Sequence, residues 1–327
     1  MKQILLLFLA ITFLNCSSDD SNKGDTSNGD WLVNSSDISG AFNLFPLSLN
    51  PEFTTVSETS LSDGSLVGVV SIGSAVLVFP NDFVYQFEII NTSYNGFDYA
   101  FSYCPITKSS IAFKRDQIFR ASGYLYKENM TPWDENTETI WSQMLGKAIN
   151  GDNPNRRLEK IPVLKTSWRT VKDYYPNALV IKQYNRPELA KVPQLPSDED
   201  DDIEMPSDAE LTYGIVENNL HNVHTFRYAD FRDSKRKDVI IQGGQKYIIY
   251  GNASKQVMNA YKVTNFDDFE LLDDLEFPYI LKSNNIKYDI LGNSATGISL
   301  QKPEFSYMAA WFAWRDFFDG HLFYPNE

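Results

Sequence analysis

The chain of 327 residues reads as an α+β, β-rich protein built from two tandem copies of one unit, packed together. Each copy is expected to run through strands and a hairpin and to close with an amphipathic helix. Three observations predict this. Apolar and polar residues alternate over short runs bounded by Gly, Asn and Asp. Gly96, Tyr99, Ala112 and Lys114 recur, at one constant spacing, as Gly244, Tyr247, Ala260 and Lys262. Each half then ends in aromatics at helical spacing, WRTVKDYY from Trp168 and WFAWRDFF from Trp311.

The first element is an export signal over residues 1–15. Lys2 gives a positive start, Ile4 to Leu14 an apolar run, and Cys16 closes it. The run is too short to span a bilayer as a helix, so it reads as a cleaved segment. Phe13-Leu14-Asn15-Cys16 resembles a bacterial lipobox, with Asn15 where a small residue is usual, and this implies lipidation of Cys16. Residues 16–30 are polar and lack large apolar side chains, which makes them a flexible tether. Their Ser-Ser-Asp-Asp start resembles the acidic export signal of Bacteroidetes surface lipoproteins, and reads equally well as a plain linker.

The first unit spans 31–192. It has a β-rich front at 65–79, paired strands at 97–103 and 110–114, and a helix at 167–175 ended by Pro176. Residues 193–208 form an acidic linker, in which six acids fall within 198–204. The second unit, 209–327, repeats the order with a front at 212–228, strands at 246–250 and 257–263, and a helix at 306–318. The helical aromatics read as core.

A net charge of −14 argues against nucleic acid, since phosphate binding needs a basic face. His221 and His224 lie in β-like sequence without a cysteine or carboxylate in ligand register. The acidic run lacks the Asp/Asn-Gly alternation of a calcium loop. Neither a metal nor a cofactor is expected.

The chain has two cysteines, so a lipidated Cys16 leaves Cys104 without a disulfide partner. Cys104 stands at the mouth of a hairpin, followed by Pro105. Backbone N–H groups and hydroxyls from Thr107 to Ser110, with Lys108, Lys114 or Arg115 nearby, would favour thiolate. A small apolar side chain filling the hairpin end is the equal alternative. The second unit carries Asn252 at the matching position, so the turn itself does not demand sulfur. A second cluster, Asp134, Glu135, Thr137, Trp141 and Gln143, reads either as a polar loop over a pocket or as a capped turn.

These segments resemble DUF3179, a bacterial family of unknown function. The resemblance rests on Tyr103-Cys104-Pro105, then Ile111-Ala112-Phe113-Lys114-Arg115 and Ser122-Gly123-Tyr124-Leu125-Tyr126. Asp134, Thr137, Trp141-Ser142-Gln143, Gly146, Ile149 and Gly151 continue it, and the helix from Trp168 to Pro176 completes it. It covers residues 60–182 strongly and the second unit weakly. Some relatives resemble selenoproteins, which implies redox or nucleophilic chemistry at this turn. This chain departs in having Thr107 where relatives often carry a second cysteine, so a dithiol cycle cannot run within it.

The expected protein is thus an outer-membrane lipoprotein of the bacterial cell envelope, periplasmic or surface-exposed, whose membrane partner is reached through the lipid on Cys16. Cys104 is its candidate nucleophile or redox centre. Arg115 and Gln143 would orient a small-molecule or peptide ligand, and Asp134 and Thr137 would shape the loop, with Thr107 beside the thiol. The alternative is a non-catalytic ligand-binding or structural surface lipoprotein, binding through Tyr103, Tyr126, Trp133 and Trp141.

Overall fold

The computed structural model describes residues 31–152, 154–182, 206–241 and 243–324. The expected signal, the Cys16 lipidation site, the tether and the linker up to residue 205 lie outside them. The described strands fall into six sheets, and the helices are short, so the fold is β-rich as expected.

Two sheets share one plan. In the first half, Leu66–Ile72 and Ala75–Pro80 pair antiparallel; Leu164–Ser167 joins the former antiparallel and Leu179–Ile181 joins the latter parallel. In the second half, Leu211–Val216 and Asn222–Arg227 pair, with Ser306–Ala310 antiparallel and Gly320–Tyr324 parallel. A seven-residue helix, Trp168–Tyr174 or Trp311–Phe317, makes each crossover. Each helix starts in the same way. Trp168 and Arg169 donate their N–H groups to Ser65 O and Asp63 O, as Trp311 and Phe312 do to Glu210 O and Asp208 O. Lys172 pairs with Asp63 and Arg315 with Asp208. These bonds satisfy amides that a helix start leaves orphaned.

The expected helix over 306–318 begins only at Trp311. Residues Ser306–Ala310 pair along Leu211–Val216, and that ladder takes up the backbone groups a helix would need. Gly214 lies in this ladder because Trp314 packs directly on it; an added Cβ would stand 2.5 Å from the indole.

The hairpins also correspond. Phe97–Cys104 pairs with Ser109–Lys114, and Gln245–Asn252 with Val257–Val263. The loops end in residues with positive φ, 53° at Lys108 and 52° at Gln256. Each loop docks on the opposite half. Ala310 N–H, at the head of the second helix, donates to Thr107 O at 2.8 Å, and Lys108 Nζ to Ala209 O at 2.8 Å. Reciprocally, the Thr170 hydroxyl of the first helix donates to Lys255 O at 2.5 Å.

The cores follow this exchange. Ala100, Cys104 and Trp141 bury with Tyr307, Trp311 and Trp314 in one cluster. Leu164 and Trp168 bury with Tyr250, Val257 and Tyr261 in another. Each hairpin therefore completes a core that contains the other half's helix.

Candidate functional site

Cys104 ends its strand opposite Ser109 and is 1% exposed. Its Sγ accepts the Met130 N–H at 3.4 Å and lies 4.0 Å from Glu128 O. Thr107 and the Met130 amide favour thiolate, but burial, aided by the Glu88 carboxylate, outweighs them and raises the thiol pKa. The expected activation is therefore reversed. The cations it relied on are engaged elsewhere. Lys114 pairs with Glu159 and lies on the exposed surface. Arg115 binds Tyr99 O, Gln117 O and Asp98, six residues beyond Ser109, or about 20 Å along an extended strand. Asn252, at the matching place, accepts the Lys255 N–H at 2.9 Å through Oδ1. In both hairpins the strand-end side chain pins its turn.

The cation that does approach Cys104 is Lys165, which no sequence motif marks. It is buried, donates to Lys108 O at 2.5 Å and stands 5.3 Å above the ring of Tyr103. Burial brings its pKa down to about 7.

Gln143 reaches the same region. Its Nε2 donates to Ser102 Oγ at 2.9 Å, and its Oε1 accepts from Ser109 Oγ and Asn129 Nδ2, both at 2.7 Å. Asn129 also donates to Thr107 Oγ1 at 2.9 Å. All five side chains are buried. Their hydrogen-bonding capacity is spent on one another, on the Ile111 carbonyl and on the Met144 N–H, because an unpaired buried amide or hydroxyl is costly.

Asp134 forms a separate network. It is fully buried and accepts Thr137 N–H at 2.7 Å, the Thr137 hydroxyl, and Trp141 Nε1 at 3.0 Å. The Gln117 amide donates at 2.7 Å, and Arg156 lies 3.9 Å from Oδ2 with its guanidinium over Trp141. This carboxylate caps a turn and is saturated. Trp141 is buried beneath it, and Tyr126 is buried edge-on to Phe317. Tyr103 and Trp133 are half-buried. The expected aromatic platform is thus dispersed, and Arg115 and Asp134 stand apart from Cys104.

Open space lies elsewhere among the described residues, including between the halves. A cleft of about 700 Å³ is walled by Leu145, Arg157 and Leu158 on one side and by Leu220, Glu304 and Phe305 on the other. Lys160 forms its floor. Its Nζ donates to Gln143 O at 3.2 Å and Met144 O at 2.9 Å, under the rings of Phe305 at 3.4 Å and Tyr307 at 4.8 Å. Burial draws its pKa well below the ordinary lysine value, whereas two carbonyls and two aromatic faces stabilise the ammonium. At the rim, Glu217 binds His224 Nε2 at 2.9 Å, and His224 Nδ1 meets Tyr324 OH at 2.9 Å.

The family described as "Protein of unknown function (DUF3179)" matches residues 43–321. The chain belongs to the DUF3179 family. The match spans both halves. No curated protein and no solved structure matches it significantly.

Of the residues that carry the DUF3179 resemblance, Asp134, Thr137 and Trp141 fall in one buried hydrogen-bond network and Gln143, just past the Ile140–Ser142 strand, in the other. Sequence reading found Gln143 and Asp134 but missed Asn129, Ser102 and Lys160. Lys160 has no local signal, since its rings come from Phe305 and Tyr307, far along the chain.

Replacing Gln143 by Leu should lower unfolding free energy by about 3 kcal/mol or more, because Ser109, Asn129 and Ser102 lose partners in a dry interior. Urea unfolding measures this; an unchanged midpoint would refute the network. Two buried groups, Glu88 and Lys165, contribute opposite slopes to the pH profile. Burial raises Glu88 to about 8, so the native state keeps a proton that the unfolded chain releases, and stability falls as pH rises from 4.5 to about 8. Lys165, lowered from 10.5 to about 7, does the opposite. The unfolded chain holds the extra proton between those values, so stability rises with pH there. Denaturation between pH 5 and pH 10 should show a minimum at about 7–8. Glu88→Gln should weaken the falling limb and Lys165→Met the rising one, to which the buried Lys160 and Lys302 also contribute.

Proposed function

We propose that this DUF3179 protein is a lipid-anchored, ligand-binding protein of the bacterial envelope, whose ligand sits in the cleft between two duplicated halves. The carrying observation is the cleft itself. It combines about 700 Å³ of open volume with a fixed floor at Lys160, whereas Cys104 is sealed at 1% exposure. Small-ligand sites are pre-formed clefts of this size, about 300–1,000 Å³, with apolar walls and a few placed polar groups. Non-catalytic binding is therefore favoured over thiol chemistry.

Duplication is supported by the matched strand orders, helix-start bonds, Lys172–Asp63 and Arg315–Asp208 pairs, and hairpin turns. The pattern continues around the cleft. Leu158 N–H donates to Gly146 O as Leu300 N–H does to Gly292 O, with Lys160 and Lys302 each two residues on. On the corresponding side of the second half, Asn293 Nδ2 bonds Ser71 Oγ at 3.1 Å across the halves.

Anchoring rests on residues 1–16: the apolar run, the lipobox-like Phe13-Leu14-Asn15-Cys16, and the polar stretch after it. An outer-membrane location, facing the periplasm or the exterior, follows from that reading, and the excess of acidic residues disfavours nucleic acid as a partner. Cys16→Ala should move the protein from the membrane to the soluble fraction of its native host; retention in the membrane fraction would exclude the lipid anchor. For the cleft, thermal-shift screening of a metabolite and peptide library should find compounds that stabilise the wild type and Cys104→Ser but not Leu158→Trp, which fills the cleft. Equal stabilisation of Leu158→Trp would refute the cleft, and loss confined to a folded Cys104→Ser would restore the thiol.

A further inference from the structure

The charged groups at the cleft differ in what they still have to offer. The Lys160 ammonium is enclosed by two carbonyls and two rings. Glu217 spends its oxygens on His224, Asn222 and Asn219. Glu159 faces Lys114 at 3.5 Å. Arg157 and Glu304 remain. Both are exposed cleft-lining residues, and among the described residues neither side chain has a hydrogen-bond or ion-pair partner.

Their placement is informative. Arg157 belongs to the wall from the first half, beside Leu158, and Glu304 to the wall from the second, beside Phe305. A free cation and a free anion thus come from opposite walls, with Leu145, Leu158, Leu220 and Phe305 supplying apolar surface. A guanidinium is shaped to take a carboxylate through two parallel N–H bonds, and a carboxylate takes an ammonium. Apolar walls remove the body of a ligand from water but give it no direction, so the two charges would fix its polarity.

Resting on the cleft reading above, we infer that the ligand is a zwitterion with an apolar body, of the chemical class of a short apolar peptide. Its C-terminal carboxylate sits on Arg157 and its terminal ammonium on Glu304. An anionic ligand alone would leave Glu304 opposing it, and a cationic one would leave Arg157 doing so.

The test is calorimetric titration of the detergent-solubilised full chain with trileucine, its C-terminal amide and its N-acetyl derivative. Trileucine should bind the wild type, and either modification should weaken it about tenfold or more, the value of one charge-assisted contact. Arg157→Met should bind free trileucine as weakly as the wild type binds the amide, and should be indifferent to amidation. Glu304→Gln should behave in the same way toward acetylation. Both sites are exposed, so circular dichroism should show unchanged folding. Equal binding of all three peptides, no binding of any, or charge-dependent binding that survives in Leu158→Trp would each overturn the zwitterion. The cleft reading falls only if library compounds stabilise Leu158→Trp as well as the wild type, so the two failures are separable.

Discussion

One buried carboxamide organises the site region. Gln143 ties the hairpin to the neighbouring sheet through Ser102, Ser109 and Asn129, and offers its own carbonyl to Lys160. Lys160 then carries the constraint to Phe305 and Tyr307 of the other half. A polar group this deep has no water to fall back on, so each partner must be held in place for the others to be satisfied. Such a network is unforgiving of displacement. The floor of the cleft inherits that rigidity, because its ammonium is fixed by the carbonyls of the Gln143-Met144 turn and not by solvent.

The β-rich class was legible because alternation is a local signal. Hairpins and crossover helices were found near their observed positions, and the aromatics of Trp168 and Trp311 did prove to be core. Residues 306–310 were misread because Tyr307, Met308 and Ala309 suit a helix as well as a strand, and only the partner strand decides. The site was less legible. A lone thiol in a turn suggests reactivity, but accessibility depends on what covers the turn, and here the cover is Ala309–Trp311 with Tyr307, from the far end of the chain. Asp134 and Gln143 were recognisable as important without their role being recognisable, since a satisfied structural carboxylate and a catalytic one look alike in sequence.

The two halves differ where a pocket is concerned. Gln143 and Lys160 meet through a backbone carbonyl, whereas at the corresponding positions Asp289 and Lys302 attract one another inside the protein. Burial raises the pKa of Asp289 and lowers that of Lys302 to about 8. The hairpin loop at Glu217 to His221 is also longer than the Gly73-Ser74 turn of the first half, and it supplies a wall of the cleft. A longer loop on one side and a direct contact between Asn293 and Ser71 on the other leave two similar frameworks with unequal openings.

The exchange of hairpin tips bears on how the chain is made. The carbonyl of Thr107 waits for the amide of Ala310, and the first helix waits for Lys255. A polypeptide that emerges amino end first therefore exposes an unfinished core around Cys104, with strand and apolar surface uncovered, until residues 307–317 have been made. Premature release or truncation near the carboxyl end would strand that surface, leaving a sticky, protease-sensitive fragment and not a smaller working protein. The core around Cys104 thus closes only when Tyr307, Trp311 and Trp314 are in place, whereas the core around Trp168 needs only the chain as far as Leu291.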